Sequence, residues 1–294
     1  MLHGWIILDK PVGLGSTQAV SAVKRILREA GGPKTKVGHG GTLDPLASGV
    51  LPVALGEATK LAGRLLDATK AYEFAIRFGE GTDTLDAEGQ VTETSDHRPT
   101  QEEVAAILPR FTGSIEQVPP AYSALKIDGK PAYERSRAGE TVEMKPRTVT
   151  VHELHVVDSS ADQATLSATV SKGTYIRSLA RDMATALGTV GHVGMLRRTR
   201  AGPFTLDQAI SLDFLSQAAK ARQFDGAVLP LTAALDDIPA LPVTPDQAQL
   251  LRHGQKLIGF PDQPGLQLAM QGETPVALVE ATADGLTVVR GFNL

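Results

Sequence analysis

Apolar and polar positions change their period several times along the chain, and each change predicts an element. Trp5-Ile6-Ile7-Leu8 is an unbroken apolar run that Asp9-Lys10-Pro11 closes, which predicts a short strand ended by proline. From Ser16 to Leu27 the apolar residues recur at helical spacing, predicting a capped amphipathic helix. A glycine-rich turn over 38–49 comes next. Positions 58–68 read as helical, and Tyr72-Glu73-Phe74-Ala75-Ile76-Arg77-Phe78 alternates as a strand does. An acidic, turn-rich loop covers 81–89, and Thr100 with Glu103 three residues on opens a helix to Leu108 as a capping box.

The second half keeps the same mixture. Residues 118–146 show little periodicity, several Gly and Pro, and clustered charge, so they predict a long binding loop or an inserted hairpin. Strands are expected over 148–154 and 164–170, and a helix from Tyr175 to Leu187 that Gly188 ends. Strands mixed with helices define an α/β or α+β sheet domain. Asp236-Asp237-Ile238-Pro239-Ala240-Leu241-Pro242 reads as a linker, and the apolar runs on either side of Asp284-Gly285 read as a hairpin. The division expected is therefore 1–235 as the main domain, with an insertion at about 118–147, and 236–294 as a small all-β domain.

Composition narrows the chemistry more than the fold. With 294 residues, 42% of them hydrophobic, the chain can bury a full core. No apolar stretch approaches the roughly 20 residues of a membrane span, and the first residues lack the pattern of a secretory signal, which predicts a cytoplasmic protein. There is no cysteine, so thiolate nucleophiles, disulfides and cysteine-held metals are excluded. His152 and His155 are the one closely spaced histidine pair, and strict strand alternation would set them on opposite faces. No phosphate-cradling glycine motif follows a strand. An enzyme without metal or cofactor is the simplest expectation.

The net charge of -4 hides an uneven distribution. Residues 121–150 hold six Lys or Arg against four acids, and 171–200 hold six against Asp182 alone, whereas the stretch from Asp225 onward is acidic. Local basic surface on an acidic protein suits an anionic partner such as nucleic acid, and a solvated charged face is the plainer alternative. Of the four tyrosines, Tyr122, Tyr133 and Tyr175 lie in these cationic segments and Tyr72 sits in Lys70-Ala71-Tyr72-Glu73-Phe74. Rings among cations suit a ligand with both π-faces and phosphates. Each taken singly reads as a half-buried tyrosine with one hydrogen bond.

One carboxylate stands apart. Gly38-His39-Gly40-Gly41-Thr42-Leu43-Asp44-Pro45-Leu46-Ala47-Ser48-Gly49 holds Asp44 in a glycine-rich turn whose exit Pro45 directs. Two uses fit this spacing equally. Asp44 and Thr42 cap their own turn, or the loop presents Asp44 to a large ligand.

Six blocks resemble one family. Leu8-Asp9-Lys10-Pro11-x-Gly13, the Gly38 to Leu51 loop, Gly56-Glu57-Ala58-Thr59-Lys60, Thr82-Asp83-Thr84-x-Asp86-x-x-Gly89, Pro119-x-x-Tyr122-Ser123-Ala124-Leu125-Lys126 and Lys172-Gly173-Thr174-Tyr175-Ile176-Arg177 together resemble the bacterial tRNA pseudouridine-55 synthases, the TruB family. They stand in the family's order across most of the first 200 residues.

The resemblance implies a pseudouridine-synthase fold: a central mixed, largely antiparallel sheet flanked by helices, with a small PUA-like domain at 236–294. It implies conversion of a T-loop uridine of tRNA to pseudouridine by glycosidic cleavage, base rotation and rejoining through C5. Asp44 matches the catalytic aspartate; attack at C1′, addition at C6 and assistance to a glycal all stay open to it. Arg177 matches the arginine that pairs with Asp44, and Tyr72 the tyrosine that stacks on the base. His39 matches the residue that fills the space left by an extruded base. Leu196, Tyr175 and Ile176 match the pocket. Lys126, Lys130 and Arg137 match an insertion that closes over RNA, and Lys10 and Lys60 are expected phosphate contacts. The partner implied is the T-arm of tRNA, with no obligatory protein or guide RNA, a monomeric enzyme and an additional tRNA-folding role. A non-catalytic RNA-binding module and the catalytic subunit of a guide-RNA particle are the competing readings.

Overall fold

The computed structural model describes residues 2–123, 125–127, 129–138, 140, 142–259 and 264–294, and only the backbone at 126, 127, 131, 136 and 137. In chain order the first half contains β1 (Gly4–Lys10), α1 (Ser16–Glu29), β2 (Val37–His39), β3 (Ser48–Leu55), α2 (Ala62–Asp67), β4 (Lys70–Phe78), β5 (Glu80–Thr82), β6 (Val91–Thr94), α3 (Gln101–Ile107) and β7 (Gly113–Gln117). The insertion contributes β8 (Lys126–Ile127), β9 (Lys130–Pro131) and α4 (Ala132–Arg137). Then come β10 (Arg147–Ser159), β11 (Gln163–Val170), α5 (Ile176–Ala186), β12 (Gly191–Ala201), β13 (Phe204–Thr205) and α6 (Leu212–Ala221). The chain closes with β14 (Ala240–Pro242), α7 (Pro245–Arg252), β15 (Gly265–Gln271), β16 (Thr274–Thr282) and β17 (Gly285–Gly291).

One nine-stranded sheet runs β1-β3-β12-β4-β11-β10-β7, with β2 on β3 and β13 on β12. Its pairings are antiparallel except β12 with β3. The unbroken apolar run of β1 reflects burial on both faces: Ile6 and Leu8 join the core under α1 and α5, while Trp5 and Ile7 face a second core. Leu268, Leu278 and Phe292 of the C-terminal sheet contribute to that second core. The smaller sheet, β14-β15-β16-β17, is thus packed on the larger one by shared apolar contact.

Several sequence expectations shift. The 236–242 linker is partly structured, since Ala240 to Pro242 pair in parallel with β15. The small C-terminal unit is built on β strands but carries α7, opened by a Thr244 and Gln247 capping box. Ser16 is the first residue of α1, not its cap; Gly15 is, and Gln18 bonds its amide at 2.8 Å. A bulge between Val151 and Glu153 breaks the alternation assumed for His152 and His155, so Val151 and Leu154 are both buried and both histidines are exposed. No cluster of three potential metal ligands occurs among the described residues. Strand β12, in the middle of the sheet, has no counterpart in the periodicity.

Candidate active site

The turn around Asp44 is held by groups outside it. Ser16 Oγ donates to Leu43 O at 2.9 Å and accepts from Leu43 N at 2.7 Å, and Gly13 N donates to Pro45 O at 2.8 Å. Lys10 is fully buried; its Nζ donates to Pro11 O at 2.9 Å, Leu14 O at 2.5 Å and Pro45 O at 3.4 Å. Burial is the first cause that pushes its pKa down to about 8, with Asp44 opposing and Arg198 adding to the fall. Lys10 is therefore a brace of the loop and not the phosphate contact expected of it. Gly49, at φ +97°, leaves the turn against β12, where a Cβ would lie 2.2 Å from Arg198 O. Only glycine fits there.

Arg198 secures the same loop from below. Its buried guanidinium donates to Val50 O at 2.8 Å, Thr42 O at 3.3 Å and Gly41 O at 3.4 Å, so one side chain grips both flanks of the turn. The turn itself closes through Ala47 N to Asp44 O at 3.1 Å. The Asp44 carboxylate is thereby free to face outward, and it meets Arg177.

Arg177 is buried and sits in the first turn of α5. Nη2 lies 2.9 Å from Asp44 Oδ2 and also donates to Tyr122 O at 2.9 Å; Nη1 lies 3.4 Å from Asp86 Oδ2 and donates to Thr84 O at 3.0 Å. Asp86 joins the site without having been singled out by the sequence. The acidic turn is built around it: Thr84 Oγ1 and Glu88 N both donate to Asp86 Oδ1, at 2.5 and 3.1 Å. Its signal was present in the Thr82-Asp83-Thr84-x-Asp86 block, where Thr84 is spaced to bond the carboxylate and Thr82 the main-chain carbonyl of Asp86.

Two cavities meet at the Asp44 and Arg177 pair. The first, about 380 Å³, is lined by Asp44, Arg177, Tyr72, Tyr175, Ile176 and Leu196 among others, so the expected pocket residues converge. Lys70, two residues before Tyr72 on β4, also lines it. Nζ of Lys70 donates to Leu66 O and Ala68 O, both at 2.6 Å, and burial pushes its pKa down to about 8. The second cavity, about 700 Å³, is lined by His39, Gln18, Glu88, Tyr122 and Tyr133 on the other side of the pair. His39 thus lines one of the two cavities that share Asp44, and Tyr72 lines the other. Burial, and then the nearby Arg198 charge, lower the His39 pKa.

The cationic residues divide unevenly. Lys60 Nζ lies 2.6 Å from Glu57 Oε2 and donates to Gly291 O at 2.9 Å, tying the helical turn after β3 to β17 while its side chain stays 30% exposed. Lys130 is exposed on β9, whereas the side chains of Lys126 and Arg137 lie outside the described residues. Of the six cations in 171–200, Lys172, Arg177, Arg181 and Arg197 pair with carboxylates and Arg198 is buried. Their count in the sequence overstated the basic surface.

Solved structures share this architecture. The structure of an H/ACA RNP bound to a substrate RNA containing 2'-deoxyuridine includes a chain that matches at TM-score 0.74 and 26% identity, over 99% of this chain and 86% of that one. A chain of a Cbf5-Nop10-Gar1 complex matches at TM-score 0.73 and 28% identity, over 98% and 84%. The fold is that of the pseudouridine synthases. The N-terminal domain model of TruB family pseudouridylate synthase matches residues 24–176, and the tRNA pseudouridylate synthase B C-terminal domain model matches 177–236. Proteins named tRNA pseudouridine synthase B from Zymomonas mobilis and Novosphingobium aromaticivorans are 63% and 58% identical, covering 99% and 100% of this chain and 96% and 98% of theirs. The chain belongs to the TruB family.

Proposed function

We propose that this chain is a tRNA pseudouridine-55 synthase that isomerises a uridine in the T-loop of tRNA without metal or cofactor. The observation that carries the reading is the Asp44 carboxylate, held by Arg177 at 2.9 Å, at the mouth of a cavity walled by Tyr72, Tyr175, Ile176 and Leu196. A cavity of about 380 Å³ accommodates a pyrimidine with part of its ribose. The target base leaves its stack to enter, at a cost of about a few kcal/mol. His39, in the lining of the second cavity, fills the gap left in the RNA loop, a role supported by its sharing that cavity with Asp44 and Arg177.

The reaction breaks the C1′–N1 bond, turns the base, joins C1′ to C5, and moves the C5 proton off while N1 gains one. Asp44 acts at the sugar or the base, Arg177 orients its carboxylate, and Tyr72 stacks on the ring and assists proton removal. The cavity keeps the detached base from solvent while it turns. Residues 1–235 serve as the catalytic domain, the insertion at 118–147 contacts RNA through Lys126, Lys130 and Arg137, and 236–294 form a PUA-like unit. The enzyme acts as a cytoplasmic monomer; no helix among the described residues is long and apolar enough to cross a membrane.

The H/ACA likeness raises a guide-RNA-dependent subunit as a second reading. Greater identity to proteins named as tRNA synthases favours the stand-alone enzyme. Purified chain incubated with bare tRNA transcript, with carbodiimide mapping of pseudouridine as the readout, decides between them. Modification of one T-loop uridine is expected from wild type and not from Asp44→Ala, which should still bind tRNA. No product without guide RNA would overturn the proposal.

A further inference from the structure

We propose that Gln117 and Arg147, the two residues between which the 118–146 insertion leaves the sheet, are positioning residues that form a single clamp on Tyr175. The inference rests on the proposed synthase function. Gln117 ends β7 and Arg147 begins β10, and they are direct antiparallel partners. Side chains so paired lie side by side on one face.

Each grips a different part of the same residue. Gln117 is 1% exposed; its Oε1 accepts from Tyr175 N at 2.8 Å and its Nε2 donates to Tyr175 O at 3.1 Å, as a neighbouring strand would. Tyr175 immediately precedes α5 and has no side-chain cap of its own. The buried amide therefore fixes the direction in which the helix starts. Arg147 covers the ring, with its guanidinium carbon 4.8 Å from the centroid, and its Nη2 donates to Gly173 O at 2.6 Å.

The clamp matters because the next residues of the chain belong to the site. Tyr175 and Ile176 line the cavity, and Arg177, two residues on, holds Asp44. A displacement of the α5 start moves the pocket wall and the arginine together. Errors of about 1 Å in such positions cost rates of up to roughly 100-fold. The clamp is one of several links from the insertion to α5, since Tyr122 O also accepts from Arg177 Nη2 and Val118 O from Ser178 Oγ.

The experiment measures single-turnover pseudouridine formation with enzyme in saturating excess over tRNA, together with amide hydrogen exchange at 174–178. Arg147→Met and Gln117→Leu are each expected to slow wild type roughly 10-fold; Arg147→Met, whose ring partner is gone in Tyr175→Leu, is expected to slow that variant less than about 2-fold, whereas Gln117→Leu, whose partners are the main-chain atoms of residue 175, slows both backgrounds alike. Gln117→Leu is expected to speed exchange at 174–178 about 10-fold while other core amides hold. In Gln117→Glu the neutral acid reproduces the donor and acceptor of the amide, whereas its carboxylate cannot donate to Tyr175 O. Its rate relative to wild type is therefore expected to rise as pH falls, a signature that a purely structural loss would not give. Equal slowing of the wild-type and Tyr175→Leu backgrounds by Arg147→Met would overturn the clamp, as would unchanged rates in Gln117→Leu or unchanged exchange. An inactive wild type with faster exchange in Gln117→Leu would instead overturn the proposed function and leave the clamp supported.

Discussion

Arg177 binds two carboxylates, Asp44 at 2.9 Å and Asp86 at 3.4 Å, and only one of them opens toward solvent. The Asp44 side chain is 40% exposed and that of Asp86 4%. On the proposed function, this asymmetry fits Asp86 to holding the arginine and Asp44 to meeting the substrate. Asp44→Asn is expected to lower the single-turnover rate roughly 1000-fold or more, Arg177→Met roughly 100-fold and Asp86→Asn roughly 10-fold. Filter binding should return near wild-type tRNA affinity for all three. An Asp86→Asn variant as inactive as Asp44→Asn would reverse the assignment.

Arg198 has a different use for its charge. It donates to three main-chain carbonyls and no carboxylate lies within ion-pairing distance of it among the described residues, so its contribution lies in shaping the Asp44 turn. Arg198→Met leaves the carbonyls of Gly41, Thr42 and Val50 without that donor, at about 1–3 kcal/mol for each group that stays buried. A total loss of about 2–4 kcal/mol in urea unfolding is expected, with Arg198→Lys recovering only part because one ammonium cannot span the fork.

Local pattern revealed the elements that local chemistry decides. The capping box at Thr100, the strand over Tyr72 to Phe78 and the Asp284-Gly285 hairpin all arise from neighbouring residues. Asp44, Arg177, Tyr72 and Leu196 were legible in the sequence and line one cavity. What the sequence concealed was partnership over long separations. Lys10 resembled a surface cation but is buried under Pro45, and β12 hid because Arg197 and Arg198 interrupt its apolar pattern. Arg197 pairs with Asp9 at 2.9 Å, 188 positions away, so neither charge reads as structural from its own neighbourhood. The pairing of Asp86 with Arg177 was hidden for the same reason, its partner being on α5.

Lys10 and Lys130 should separate cleanly in salt titrations. Lys10→Met removes donors to Pro11, Leu14 and Pro45, and so is expected to lower stability by about 2–3 kcal/mol. The slope of log affinity for tRNA against log salt should not change, since no phosphate reaches the buried ammonium. Lys130→Met is expected to leave stability within about 0.5 kcal/mol and to reduce that slope by about 0.7–0.9, one phosphate contact. A shallower slope in Lys10→Met would return Lys10 to the RNA surface.

The stability of the protein should also rise on the alkaline side, and Lys70 tests why. Burial, and secondarily Arg198, bring its pKa down from the ordinary 10.5 to about 8 in the folded chain. Between about pH 8 and 10.5 the unfolded chain therefore holds a proton on this lysine that the folded chain has released. With more protons on the unfolded state, the free energy of unfolding increases with pH across that window; below pH 8 both states are protonated and the burial penalty is present in full. Lys10, also near 8, acts in the same direction. Replacing Lys70 by Met removes one of the two contributions, so urea midpoints measured from pH 7.5 to 10 should climb less steeply in Lys70→Met than in wild type. Parallel curves would mean that the Lys70 ammonium keeps its ordinary affinity for the proton, held by the carbonyls of Leu66 and Ala68 strongly enough to cancel its burial.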